Sequence, residues 1–483
     1  GRAPCIWDAF CQIEGRVVNG DNGDLACDHF TFCKEDDMGF KNYRLSIAMP
    51  RIFPGGKGPA NEEGVAFYNR LIDYLLAAGI NPCVTLYHWD LPLELETEHG
   101  GWQSDITVQR FVEYAEVCFE RFGDRVKSWL TFNEPWCAAV LGYGNGEMAP
   151  GLTSSDARLV YKAGHNMLLG HARAVEVYRK KFQPEQNGVI GITLNCNWTE
   201  PKPSDDPDTA KLNADAAERA VLWNLAWFAD PIYKGDYPEV MRNRCGDRLP
   251  YFTAEDKALL KGSSDFFGLN HYSTDIAEDD SGPGHYVSYW GTANTGGFWG
   301  DIQVRGSTDP SWAKTDMGWP IVPWGFRKLL LWIQARYSPE GGILVTENGA
   351  AVYEPTVDLA VDDKERIAYF EGYLKELHCA IQLGADVRAY YAWSFMDNFG
   401  KDTTKSVANA SSTAVGLLFF LDVLYLPITS HVCVLPFPTE WAYGYSKRFG
   451  LVHVDYDTMK RTPKSSLLWF SKVLSTNTLQ VDE

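Results

Sequence analysis

Short apolar runs rich in β-branched residues recur along the chain, and most are separated by stretches in which apolar residues return every three or four positions. Such a run is typical of a buried strand, and the longer spacing is typical of an amphipathic helix. The helical spacing is clearest at 63–78, 108–122 and 363–383. The predicted strands are 43–48, 83–88, 129–132, 189–194, 266–270, 343–346 and 387–393. Strands and helices in alternation predict a parallel α/β sheet.

Polar and aromatic side chains cluster where these predicted strands end. They include His88, Asn133, Glu134, Asn270, Tyr272, Glu347 and Trp393. A (β/α)8 TIM barrel places its active site at this rim, on the carboxyl ends of its strands. A doubly wound open sheet is the alternative, but it would carry a Gly-rich phosphate loop after its first strand, and the sequence has none there. The pattern therefore favours the barrel.

Two stretches depart from a regular barrel. Eight strands are needed, yet only seven runs are found, and 1–40 offers turns and glycines without a leading strand. The stretch 400–439 changes abruptly from Ser, Thr and Ala to apolar residues and has no strand or helix period. We predict one barrel domain over 1–483 that lacks its first strand and carries an atypical insertion at 400–439, near strand 8.

The charge and composition limit the partners of the protein. Apolar residues make up 45% of the chain and charged residues 22%, which is typical of a globular protein. The net charge of −19 argues against nucleic-acid and anionic-membrane partners, both of which favour a basic surface. An uncharged small molecule fits better.

The cysteines and the start of the chain indicate neither a metal site nor a signal sequence. Eleven cysteines, an odd number, are scattered without the spacing of zinc ligands, so we expect free thiols and no bound metal. The first residues contain neither an initiating Met nor an apolar run, and from this we expect a cytoplasmic protein.

Two glutamates occupy positions suited to acid and base chemistry. Glu134 and Glu347 each follow an apolar run directly, so a barrel would turn both towards one pocket. Either alone could be an ordinary acid at a strand end or helix start. Together they match the hydrolysis of a glycosidic bond, which needs one carboxylic acid to protonate the leaving oxygen and one carboxylate at the anomeric carbon.

The motifs around these glutamates resemble the family 1 glycoside hydrolases, fungal β-glucosidases in particular. TFNEP at 131–135 is similar to the acid/base motif of the family, and VTENG at 345–349 is similar to its nucleophile motif. TLYHWDLP at 85–92, DFFGLN at 265–270 and RFGL at 448–451 extend the likeness over most of the chain. The resemblance implies a (β/α)8 barrel and a retaining glycosidase.

The resemblance also implies roles for individual residues. Glu134 would be the acid/base and Glu347 the nucleophile, while Asn133 would bind the 2-hydroxyl of the sugar. Arg44 and Tyr272 would flank Glu347 and favour its ionised form.

Sugar recognition is implied for a further set of side chains. Trp319 would line the outer, leaving-group side, with Trp136 as a second candidate there. The sugar itself would contact His88, Asn133, Trp393, Glu440 and Trp441.

The segment 440–449 also bears on the charge of the substrate. The phosphoglycosidase branch of the family binds a sugar phosphate through Ser, Lys and Tyr, and the corresponding residues here are Glu440, Lys447 and Phe449. Because Glu440 would repel a phosphate, we expect an unphosphorylated glucoside.

A Gln-x-Glu-Gly motif is present but misplaced. In the family its Gln binds the 3- and 4-hydroxyls and the motif precedes the Ile-Trp-Asp segment, whereas Gln12 follows 6–8. We therefore expect Gln12 to take no part in the site.

We expect a retaining β-glucosidase that releases terminal non-reducing β-D-glucosyl residues from cello-oligosaccharides or aryl β-glucosides without a cofactor. The alternative is a catalytically impaired or non-catalytic sugar-binding relative, because the first strand is absent from the pattern and 400–439 splits the sugar-binding motif.

Overall fold

The computed structural model describes residues 2–22, 40–281, 297–397, 443–476 and 479, together with the backbone of 286–287, 293–294 and 432–433. Its strands are β1 Asn42–Ser46, β2 Asn81–Tyr87, β3 Ser128–Asn133, β4 Val189–Asn195, β5 Trp198–Pro201, β6 Phe267–Asn270, β7 Thr274–Asp279, β8 Tyr286–Val287, β9 Ala293–Asn294, β10 Val304–Ser307, β11 Ile343–Asn348, β12 Val387–Ala392, β13 Val432–Cys433, β14 Val452–Val454 and β15 Arg461–Pro463. Its α-helices are α1 Ile6–Cys11, α2 Met49–Ile52, α3 Glu62–Ala77, α4 Leu93–His99, α5 Asp105–Phe122, α6 Pro135–Tyr143, α7 Arg158–Val177, α8 Gln183–Gln186, α9 Pro207–Val221, α10 Trp227–Lys234, α11 Glu239–Cys245, α12 Ala254–Leu260, α13 Gly297–Ile302, α14 Pro323–Tyr337, α15 Val357–Val361, α16 Lys364–Gln382 and α17 Ser465–Thr476.

The central sheet is a curled ring of parallel strands surrounded by helices. Its order is β12-β11-β6-β4-β3-β2-β1-β13, and each neighbouring pair is parallel. All seven predicted strands are present with ends close to those expected from the sequence. The predicted (β/α)8 barrel is confirmed, and the carboxyl ends of its strands form one rim.

The place beside β1 is taken by a short piece of chain from far along the sequence. Val432 and Cys433 pair with Tyr43 and Arg44, and they also approach β12, which closes the ring. These two residues belong to the predicted insertion 400–439, whose other residues lie outside the described part of the chain, so its assignment as an insertion stays a prediction.

The N-terminal residues do not fill that place. Cys5 forms an antiparallel bridge with Pro92, and the Ile6 N–H donates to the Leu91 carbonyl at 2.9 Å. Helix α1 therefore packs at the rim, beyond the end of β2. Gln12 is exposed at the end of α1.

Helix α5 illustrates how the sequence produces the outer layer. The Ser104 side chain accepts the Ile106 N–H and so caps the first turn. Phe111, Cys118 and Phe122 recur on one face and are completely buried against the strands.

The described residues also bear on the cysteine prediction and on membrane crossing. Their eight cysteines are all free. Within the same ranges, no helix is both long enough and apolar enough to cross a membrane.

A buried ionic network holds α17 and the β14–β15 hairpin against the barrel. The Lys464 ammonium contacts Glu354 at 2.6 Å and Asp397 at 3.0 Å, and all three side chains are fully buried. Arg366 bonds the same Glu354 at 2.8 Å, and Arg448 bonds Asp397 at 3.0 Å. Burial acts to raise the pKa of Asp397, but the Lys464 and Arg448 charges hold it far below its usual range.

We expect Lys464→Met to destabilise the protein by about 3–5 kcal/mol, because it leaves buried carboxylates without their shared cation. The loss is measured by denaturant unfolding. Lys472→Met, at an exposed position of α17, is the matched control and should change stability little. Equal stability of both variants would contradict a structural role for the network.

Candidate active site

The first glutamate of the site stands at the junction of a strand and a helix. Glu134 follows β3 and adopts a left-handed conformation, φ 46° and ψ 63°, at the start of α6. Its N–H donates to the Thr193 carbonyl at 2.9 Å, and its side chain is completely buried. A left-handed non-glycine residue is uncommon, and such backbone conformations cluster at functional sites.

The second glutamate lies near the end of β11 and is held by two donors. Arg44 on β1 donates from Nη1 to Glu347 Oε1 at 2.9 Å. The Tyr272 hydroxyl donates to Glu347 Oε2 at 2.8 Å. Both carboxylate oxygens are thus engaged, which fixes the orientation of the group and favours its charged form.

Arg44 also determines the orientation of Asn133. Its Nη2 donates to Asn133 Oδ1 at 2.7 Å, so the amide nitrogen must face the other way. That nitrogen lies 3.1 Å from Nε2 of His88. Since an amide N–H can only donate, Nε2 of His88 accepts, and the proton of the neutral imidazole sits on Nδ1.

One amide links the two glutamates. Asn270 Nδ2 donates to Glu134 Oε1 at 2.6 Å and to Asn133 Oδ1 at 3.2 Å. Asn270 also contacts the Glu347 carboxyl through its side chain. The two carboxyl groups therefore meet at Asn270.

Their surroundings separate the two carboxyl groups electrostatically. Burial and the charge of Glu347 raise the pKa of Glu134 well above that of an ordinary glutamic acid. Burial also raises the pKa of Glu347, to about 7, although the Arg44 guanidinium and the Tyr272 hydroxyl favour its carboxylate. Glu347 is therefore the group that ionises first, while Glu134 keeps its proton.

The predicted sugar-binding aromatics lie beside this centre. Trp393 is completely buried, and its backbone N–H donates to the Asn348 carbonyl at 2.8 Å. Trp319 is partly buried, with its ring centroid 5.6 Å from Tyr272 and 6.1 Å from Phe449. Glu440 and Trp441, which were predicted to bind the sugar, lie outside the described residues.

The candidate for the outer side of the site is part of an aromatic cluster. Trp136 packs edge-on against Phe298 and Trp299 at 6.0 Å and is almost fully buried.

Lys447, the one residue shared with the phosphate-binding motif, is already engaged. Its ammonium contacts both the backbone carbonyl and the carboxylate of Asp316, each at 2.9 Å. The positive charge of Lys447 is therefore balanced by the Asp316 carboxylate.

In the described part of the chain, a single group of side chains has the arrangement of metal ligands, and it is the structural network. Ligand atoms of Glu354, Asp397 and His453 lie within 4.8 Å of one another. Because Lys464 already bonds both carboxylates, we assign no metal to this group.

Sequence reasoning placed Asn270 among the polar strand ends but gave it no role, and it did not single out the side chains of Thr193 and Thr346. Both threonines are completely buried; Thr346 bonds Asn270, and Thr193 bonds Thr346. A buried polar residue within an apolar strand was the available signal, since such groups require partners.

Comparisons with known proteins agree with this geometry. A family model described as glycosyl hydrolase family 1 matches residues 1–409 and 436–479. β-Glucosidase 4 of Oryza sativa subsp. japonica is 41% identical over 98% of this chain and 90% of its own length. β-Glucosidase 1B of Phanerodontia chrysosporium is 41% identical over 96% of this chain and 80% of its own.

A solved structure extends the likeness to three dimensions. A rice β-glucosidase mutant, determined in a covalent complex with Glc, superposes with a TM-score of 0.83 at 37% identity. The match covers 98% of this chain and 94% of that one.

Proposed function

The chain belongs to glycosyl hydrolase family 1, and we propose that it removes terminal non-reducing β-D-glucosyl residues from short β-linked oligosaccharides and aryl glucosides with retention of configuration. It is a glycosidase with the barrel of β-glucosidases. The observation that carries this proposal is a pair of buried glutamates around Asn270, of which Glu347 accepts hydrogen bonds from Arg44 and Tyr272, and Glu134 has a raised pKa.

The reaction follows from the two protonation states. In the first step Glu347 attacks the anomeric carbon, and Glu134 gives its proton to the departing glycosidic oxygen. In the second step the ionised Glu134 takes a proton from water, whose oxygen displaces Glu347 and releases the sugar. The covalent Glc complex of the rice relative supports an intermediate of this kind. These two steps use neither a metal nor a cofactor.

Binding of the sugar would use the groups oriented around Asn133. One of its N–H groups faces His88, and the other would donate to the 2-hydroxyl, a contact that strengthens in the transition state. Trp393 and, from the sequence, Glu440 and Trp441 would complete the glucosyl site. The pairing of Lys447 with Asp316 supports an unphosphorylated substrate.

The proposal is tested with purified full-length protein. Release of 4-nitrophenol from the aryl β-D-glucoside should be compared with the β-galactoside, the β-fucoside and the 6-phosphorylated glucoside, with Glu347→Ala as the background control. Proton NMR of the first product should show the β-anomer. Folded protein that releases no phenol from any of these substrates would reject the proposal and leave the non-catalytic alternative.

The pH profile gives a further prediction. In the wild type, kcat/KM should fall below about pH 7 as Glu347 becomes protonated. Arg44→Met removes the cation that favours the carboxylate, so the pKa of Glu347 rises and the acid limb should move up by about one to three pH units.

Arg44→Lys keeps the positive charge and is the matched control, with a smaller shift expected. An acid limb that stays in place in Arg44→Met would contradict the role given to Arg44.

A further inference from the structure

A row of hydrogen bonds between strands ends on the acid/base Glu134. The Thr193 hydroxyl on β4 donates to the Thr346 hydroxyl on β11 at 3.1 Å. The Thr346 hydroxyl donates to Asn270 Oδ1 at 2.7 Å, and Asn270 Nδ2 donates to Glu134 Oε1 at 2.6 Å. All four side chains are completely buried, so these bonds are shielded from bulk solvent.

The row has one direction. Because the Thr346 hydroxyl accepts the proton of Thr193, it donates its own proton to Asn270. The Asn270 atom that receives this bond is therefore the amide oxygen, Oδ1, which can only accept. The amide nitrogen of Asn270 must then face Glu134. A second contact enforces the same orientation, since Asn133 Oδ1, already an acceptor for Arg44, also accepts from Asn270.

This orientation decides which oxygen of Glu134 can carry a proton. An amide N–H cannot accept a hydrogen bond, so Oε1 must be a bare acceptor, and the acidic proton sits on Oε2. Oε2 is buried, and among the described residues no nitrogen or oxygen donates to it; the weakly donating Cys137 thiol also faces this carboxyl. Oε2 is the oxygen left for the substrate.

We propose that Asn270 is a positioning residue that confines the catalytic proton of Glu134 to Oε2, and that Thr193 and Thr346 hold its amide in the orientation this requires. The inference rests on the proposed two-step hydrolysis. In the first step, a single proton position points the acid at the leaving oxygen. In the second step, the N–H of Asn270 stabilises the carboxylate that acts as the base.

The pH dependence separates this role from simple packing. The groups that face the Glu134 carboxyl are Glu347, which raises its pKa, and Asn270, Cys137 and Arg44, which lower it. Burial raises the pKa of the Cys137 thiol well above its ordinary value, so the thiol stays neutral. Loss of the Asn270 donor should therefore raise the pKa of Glu134. The alkaline limb of the kcat/KM profile, where Glu134 loses its proton, should then move to higher pH.

The test measures kcat/KM for two substrates, 2,4-dinitrophenyl β-D-glucoside, whose leaving group needs no proton, and phenyl β-D-glucoside, whose leaving group does. In Asn270→Ala we expect the phenyl substrate to lose about ten-fold more activity than the dinitrophenyl one. The alkaline limb should also move upwards.

A pair of variants at Thr346 keeps the test informative if Asn270→Ala does not fold. Thr346→Val removes the hydroxyl at nearly constant volume, and it should lower kcat/KM for the phenyl substrate more than for the dinitrophenyl substrate. Thr346→Ser keeps the hydroxyl and should return the ratio of the two kcat/KM values to that of the wild type.

Equal losses of kcat/KM for both substrates in Asn270→Ala, with the alkaline limb of the pH profile unmoved, would overturn the inference. The same ratio of the two kcat/KM values in Thr346→Val and Thr346→Ser would also overturn it. A wild type that hydrolyses neither substrate would instead reject the proposed function.

Discussion

Glu347→Ala protein is expected to fold and to lose kcat on 4-nitrophenyl β-D-glucoside by a factor on the order of 10⁴–10⁶, as for loss of a nucleophile elsewhere. Without the carboxylate no covalent sugar can form, and the two-step route is closed. The measurement is the steady-state rate of phenol release. Glu340→Ala, at an exposed position in the loop before the same strand, is the matched control and should keep wild-type activity.

Rescue by a small anion makes this prediction sharper. The variant retains the Arg44 guanidinium and the Tyr272 hydroxyl that held the carboxylate, so azide can occupy the space left by the side chain. One displacement by azide inverts the anomeric carbon and should yield the α-glucosyl azide. Full activity without added anion, or a β-configured azide product, would contradict the assignment of Glu347.

Glu134→Gln protein is expected to show a loss that depends on the leaving group. For phenyl β-D-glucoside the first step needs the proton, and kcat/KM should fall by about 10²–10⁴-fold. For 2,4-dinitrophenyl β-D-glucoside the first step should proceed almost unchanged, while the second lacks its base. A burst of dinitrophenol followed by slow turnover is the expected time course.

The product formed with azide provides the control. In Glu134→Gln, azide attacks the glucosyl enzyme from the opposite face, so a β-glucosyl azide should form and turnover should recover. A uniform loss for both leaving groups, without a burst, would mean that Glu134 is not the acid/base.

Glu347 and Glu134 are expected to have different roles because the contacts of their carboxyl groups differ. Glu347 has a cation and a phenolic donor on its two oxygens. Glu134 has one amide donor and a negatively charged neighbour within a buried pocket. The role of each carboxyl is a property of its contacts and cannot be read from its own identity.

The sequence predicted the seven barrel strands closely because each signal is local. A short apolar run between amphipathic helices describes a buried parallel strand wherever it occurs, as at β2 and β11. The positions of Glu134 and Glu347 followed in the same way, since each comes directly after such a run.

The segment that pairs with β1 could not be predicted from local patterns. The stretch 400–439 has no period, and nothing local shows that Val432 and Cys433 pair with β1. Strand pairing between distant segments depends on which edge remains open once the other strands are in place.

The amino-acid sequence by itself determined the barrel class, the order of its strands and helices, and the two glutamates, because apolar periodicity and short motifs are local properties. Only the tertiary structure decided that Asn270 joins both carboxyl groups and that a row from Thr193 through Thr346 orients its amide. That row combines side chains from β4, β6 and β11 with the junction after β3. The direction of its hydrogen bonds is fixed only when the closed sheet brings these strands together and buries the four side chains.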